Sequence, residues 1–99
     1  MKFVGFWTIT PEYMKEAIEM NSKSLALKEG EGVRARFPKN LSLNYNFCGQ
    51  NKGFQIFEVE NPDQMRAVAA YYAPYIQFEF LPIDDAVNAA KVYMEIKKM

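Results

Sequence analysis

The chain has 99 residues, 49% of them hydrophobic and 15% aromatic, enough to bury one core but not two, and too apolar for a disordered segment. Twelve Lys and Arg balance 12 Asp and Glu, so no net positive field gathers nucleic acid or anionic lipid, and we expect neither as a partner. Cys48 is alone and cannot close an intrachain disulfide; no apolar run approaches ~20 residues and no cleavage-type site follows the first strand, so we expect a single cytoplasmic domain spanning 1–99.

Lys2–Ile9 is rich in β-branched and aromatic residues, with Phe3, Trp7 and Ile9 on one parity and Val4 and Phe6 on the other. That pattern predicts a strand buried on both faces, with Gly5 marking a close approach by another group. Thr10-Pro11 reads as N-cap and first helical position, the Thr hydroxyl accepting an orphan N–H. Met14, Ala17, Ile18 and Leu25 then recur at helical spacing, and Gly30 and Gly32 end or follow the helix.

Leu41–Cys48 alternates without fault, Leu41, Leu43, Tyr45 and Phe47 against Ser42, Asn44, Asn46 and Cys48, which predicts a strand with one dry and one polar face. Gly49–Gly53 is turn chemistry, so Phe54–Glu60 should complete a hairpin as another two-faced strand. Asn61-Pro62-Asp63-Gln64 is a helix start of the capping-box type, Met65, Val68, Ala69 and Tyr72 supply its buried stripe, and Ala73-Pro74 ends it. Tyr75–Ile83 is the fourth strand, and Asp84 caps a last helix, Asp85–Lys98, with a stripe of Val87, Ala90 and Met94.

The order is βαββαβ plus a C-terminal helix. It predicts an α+β, ferredoxin-like sandwich whose four-stranded antiparallel sheet carries its two long helices on one face. The first and third strands, apolar on both sides, belong in the centre. Their uncovered face is too greasy for a monomer, and a twofold partner sheet is the simplest cover, giving a homodimeric α+β barrel.

Phe3-Val4-Gly5-Phe6-Trp7-Thr8-Ile9-Thr10-Pro11-Glu12 resembles the opening of the domain-of-unknown-function 3303 family. Gly53-Phe54 running into Glu58-Val59-Glu60-Asn61-Pro62, and Ala73-Pro74-Tyr75 followed by Phe78-Glu79 and Pro82, extend the likeness from Met1 to about Ala90. The resemblance implies a small ferredoxin-like, dimeric α+β barrel and carries no established reaction.

The chain has no histidine, which removes Ser-His-Asp and Cys-His nucleophilic systems together with the commonest metal ligand. No CxxC, GxGxxG or GxxxxGK[ST] occurs, so we expect no metal site and no cofactor. Arg34 and Arg36 share a parity in a stretch read as extended, and Lys39 follows; they suit a carboxylate or phosphate, although such charges more often solvate a connection or pair with Glu29 or Glu31. Tyr71, Tyr72 and Tyr75 cluster around Pro74 and, with Trp7, Tyr13 and Tyr45, can line an apolar cavity between sheet and helices, though aromatics at these spacings are more often core. Glu58 and Glu79 are candidates for a carboxylate pair, and Ser42, Asn44, Asn46 and Cys48 for a polar pocket wall, each more often a solvated surface.

The leading expectation is a homodimeric domain that binds a small apolar or anionic ligand between sheet and helices, through Arg34, Arg36, Trp7, Tyr13, Tyr45 and Tyr72. The alternatives are a cofactor-independent oxygenase or isomerase of the dimeric barrel type, which rests on fold analogy, and a protein-interaction module.

Overall fold

The computed structural model describes residues 1–99. Strand β1 (Lys2–Ile9) leads through a 3₁₀ turn (Pro11–Tyr13) into helix α1 (Met14–Leu25). A second 3₁₀ segment (Gly32–Arg36) precedes two short strands, β2 (Lys39–Asn40) and β3 (Tyr45–Asn46), and then β4 (Lys52–Glu58), α2 (Pro62–Tyr72), β5 (Ile76–Pro82) and α3 (Ala86–Lys97). The sheet is open and antiparallel in the order β2-β4-β1-β5, with β3 also on β4. The two strands with apolar side chains on both parities, β1 and β4, are the two central ones.

Register explains that choice. Trp7 lies opposite Phe78, Ile9 opposite Ile76, and Phe3 opposite Phe57, while Phe6 lies opposite Phe54 and Val4 opposite both Ile56 and Leu81. Directly opposed residues share a face, so the sheet has an aromatic layer on each side. The Trp7 layer meets the helices: Ala17 of α1, Val68 and Tyr72 of α2 and Ile76 of β5 form the buried cluster, with Trp7, Ile9, Phe78 and Phe80 packed against it. Gly5 is buried under Phe57 and Phe80, and a Cβ there would stand 2.7 Å from the Phe57 ring. This is the close approach its place in the strand predicts.

Three local expectations need correction. Thr10 makes no side-chain cap, and the first turn is a 3₁₀ turn with Pro11 at its start; its backbone N–H instead donates to Tyr75 O at 3.1 Å, tying the turn to β5. The strand expected over Leu41–Cys48 is broken. From Asn40 to Tyr45 the edge advances five residues while β4 moves three, from Phe57 to Phe54, so two residues are extra. Ser42 accounts for the interruption, because its Oγ accepts the Ile56 N–H at 2.8 Å in place of a backbone carbonyl. The face expected to be dry is wet: Leu41, Leu43, Tyr45 and Phe47 are 43, 73, 49 and 37% exposed.

Helix α2 follows the sequence closely. Asn61 Oδ1 accepts the Asp63 N–H at 3.0 Å, and Gln64 Oε1 reaches back to the Glu60 N–H at 2.7 Å. At its far end the Ala73–Pro74 peptide is cis and the chain enters β5.

Helix α3 departs from the body, and it is Asp85, not the expected Asp84, that caps it. None of its side chains is buried, the molecule is 55 Å long but 19 Å thick, and its radius of gyration is 16.0 Å, against about 13 Å for a compact domain of this size. No helix is long and apolar enough to cross a membrane.

Candidate functional site

Helix α1 stands off from the sheet, and the reason lies in the residues it turns inward. Ala17, Asn21 and Ser24 fall at i, i+4 and i+7, one face of a helix, and Ala17 and Ser24 are its only buried residues. Small and polar side chains cannot fill the space above an aromatic sheet. Of the stripe expected here, Ala17 is buried, but Ile18 and Leu25 are 55 and 68% exposed. The helix is rotated toward its hydroxyl because Ser24 meets Tyr72 of α2: the two oxygens are 2.8 Å apart in a buried setting. Ser24 Oγ donates to Asn21 O at 3.1 Å, which spends its one proton and makes the phenol the donor of the shared bond. Burial pushes the Tyr72 phenol above its ordinary pKa, with the Arg34 charge acting against that rise.

The result is a cavity of about 590 Å³ between α1, the 34–40 segment and the sheet, within the range of small-molecule sites. Its floor is aromatic, formed by Trp7, Phe57 and Phe78, with Val68, Tyr72 and Ile76 at the α2 side. Polar and charged groups converge from the edges: Arg34, Lys39, Asn44, Gln55 and Gln64, together with the carboxylates of Glu29, Glu58 and Glu60. Trp7 Nε1 donates to Asn44 Oδ1 at 2.6 Å, and the indole reaches that edge residue because Gly53 lies beneath it. A Cβ on Gly53 would collide with the Trp7 ring and with Tyr45 O. Gly53, read from sequence only as turn chemistry, thus shapes the floor.

Of the residues singled out from sequence, Trp7, Arg34 and Tyr72 come together around this cavity, as do Lys39, Asn44 and Glu58. Arg36, Tyr13 and Tyr45 do not line it. Arg34 and Arg36 share no face, since the segment expected to be extended is a 3₁₀ turn, in which side chains two residues apart point about 120° away from each other. Arg34 is half-buried and Arg36 exposed. Tyr13 packs edge-on against Tyr75 with ring centroids 5.2 Å apart, and Tyr45 stacks on Phe54 at 5.4 Å on the opposite sheet face.

Arg34 Nη1 donates to Leu27 O at 2.6 Å, which anchors the guanidinium. It forms no ion pair; the salt bridges are Met1 N–Glu58 and Arg66–Asp63. The other guanidinium N–H groups therefore remain for a ligand. Glu58 and Glu79 are not a pair, because Glu58 lies opposite Lys2 and Glu79 opposite Phe6, on different flanks of β1. Glu58 is held below its usual pKa chiefly by a hydrogen bond from the N-terminal ammonium, 2.8 Å away. Cys48 is free and exposed, and no three His, Cys, Asp or Glu side chains are grouped to hold a metal.

Sequence reasoning missed Ser24, Gln55 and Gln64 as lining residues; of the polar wall weighed over Ser42, Asn44, Asn46 and Cys48, only Asn44 lines the cavity. Each of the three missed is a polar residue whose place at the cavity depends on elements distant in the chain, and only the Asn44 parity offered a signal.

The fold and site thus define a small α+β domain with an open antiparallel sheet, one helix-covered face and an aromatic cleft. The chain belongs to the DUF3303 family, a domain of unknown function, whose family model matches residues 1–97. No curated protein matches the chain.

Proposed function

We propose that this chain is a ferredoxin-like domain that binds a small, mainly apolar ligand bearing an anionic group in the cleft beneath α1. The observation that carries the reading is the unpaired, half-buried Arg34 guanidinium at the rim of a cavity floored by Trp7, Phe57 and Phe78. A planar fork of N–H donors suits a carboxylate or phosphate, and an aromatic floor suits a flat or aliphatic body. Trp7, the only tryptophan, reports occupancy directly. Titration with a panel of aromatic and aliphatic carboxylates and organic phosphates should quench its fluorescence saturably for at least one class. Arg34→Ala should weaken that binding at least tenfold, as loss of a charge-assisted hydrogen bond requires. A panel that leaves both fluorescence and melting temperature unmoved in every class overturns the reading.

The functional unit we propose is a homodimer of the α+β barrel type, cytoplasmic as its single exposed thiol suits. Val4, Phe6, Phe54 and Ile56 form an apolar patch on the helix-free sheet face, continued by Tyr45, Phe47 and Leu81, which are 49, 37 and 45% exposed. A second copy presenting the same face covers it in twofold fashion. Sedimentation equilibrium should give twice the chain mass at micromolar concentration, and Ile56→Lys should dissociate it. A monomeric parent chain removes the dimer and leaves the cleft proposal standing.

A further inference from the structure

Helix α3 is a complete, capped helix with nothing to pack on. Asp85 Oδ1 accepts the Val87 N–H at 2.8 Å and fixes its start, yet Val87, Val92, Tyr93, Met94 and Ile96 are 54–62% exposed. An isolated helix of 12 residues is marginal in water and depends on packing an apolar face for its stability. That face is unusually wide. At about 100° per residue, Asn88, Lys91, Glu95 and Lys98 make one narrow polar stripe, and almost all of the remaining circumference is apolar.

We infer that α3 packs antiparallel against α3 of a second copy of this chain. The order of its residues argues for this occupant over a foreign one. The first half carries Ala86, Ala89 and Ala90 with Val87 at the margin of the arc, and the second carries the bulkier Val92, Tyr93, Met94 and Ile96, so reversal of one copy sets larger side chains mainly against smaller ones. Charge follows the same rule. Asp84 and Asp85 precede the helix and Lys97 and Lys98 end it; an antiparallel twofold places acid beside base at both ends, whereas a parallel pair opposes like charges. The helix dipoles also oppose favourably in this arrangement. Lys97, the one charge within the apolar arc, lies with its Nζ 5.6 Å from the Tyr93 ring.

The contact is too small to stand alone against the roughly 1,200–2,000 Å² of a stable interface. It rests on the self-association proposed above and adds to it. Sedimentation of the full chain over a concentration series separates the two. Ala90→Glu places a charge at the centre of the helix contact and nowhere near the sheet, so self-association should weaken at least tenfold with unchanged far-ultraviolet circular dichroism of the body. Lys91→Ala, on the polar stripe, should associate like the parent. Lys97→Glu with Lys98→Glu should weaken association severalfold, and adding Asp84→Lys to that chain should restore part of the loss. A free helix would respond in the opposite sense, because both changes oppose its own dipole. Parent-like association of Ala90→Glu, or further weakening when Asp84→Lys is added, overturns the helix pairing. If Ile56→Lys alone disrupts the assembly, the sheet-face dimer stands and the helix contact falls.

Discussion

Replacing Ser24 by alanine isolates the contact that holds α1 above the cleft. The Tyr72 phenol, 7% exposed, donates to Ser24 Oγ at 2.8 Å, and Ser24, 5% exposed, passes its own proton to Asn21 O. Ser24→Ala strands a buried phenol, which costs about 1–3 kcal/mol in lost solvation, offset by a few tenths from alanine's better helix propensity. Tyr72→Phe removes the donor but leaves Ser24 bonded to Asn21, so only the net worth of one hydrogen bond goes, about 0.5–1.5 kcal/mol. The double variant leaves no orphan, and its cost should fall short of the sum of the singles by about 1 kcal/mol. In thermal unfolding, each kcal/mol should appear as roughly 4–8 °C for a domain of this size. Strict additivity would refute the reasoning, since it would mean that water in the cleft already satisfies the phenol and that the two helices are not latched there.

The raised phenol pKa gives this pair a pH signature as well. Below the unfolded value of about 10 both states keep the proton; above it the unfolded chain ionises first, so stability is lost as pH rises toward the higher folded value. Urea midpoints followed from pH 8 to 11 should fall for the parent, and the part due to this group should vanish in Tyr72→Phe. Gly5→Ala forces a methyl against the Phe57 and Phe80 rings and should cost about 1–3 kcal/mol by overpacking, read from denaturant unfolding. Gly53→Ala should do at least as much damage and also shift the Trp7 emission, because the indole can no longer lie over β4 to reach Asn44; an unshifted spectrum would contradict that placement.

Local chemistry made much of the fold legible. The Asn61-Pro62 start of α2, the antiparallel pairing of β1 with β4, and the two-faced parity of both central strands all follow from capping, turn residues and period-two patterning. Gly5 inside a strand signals a close approach, and the rings of Phe57 and Phe80 make it. Patterning failed where it could not see a competitor. The fault-free alternation of Leu41–Cys48 does not reveal that Ser42 Oγ displaces a backbone acceptor and breaks the strand. Nor does the shared parity of Arg34 and Arg36 survive a 3₁₀ turn.

Which strands are central, which helices cover them and where an apolar surplus remains were written in the periodicity of the chain, because burial on two faces demands apolar residues of both parities. The cleft was not. It exists because a serine and a tyrosine 48 positions apart meet and roll α1 onto its small side, and because a glycine lets one indole cross a strand to an asparagine. Contacts between distant residues leave no period in a sequence, so only the folded chain could bring Trp7, Arg34 and Tyr72 to one cavity and send Tyr13, Arg36 and Tyr45 elsewhere.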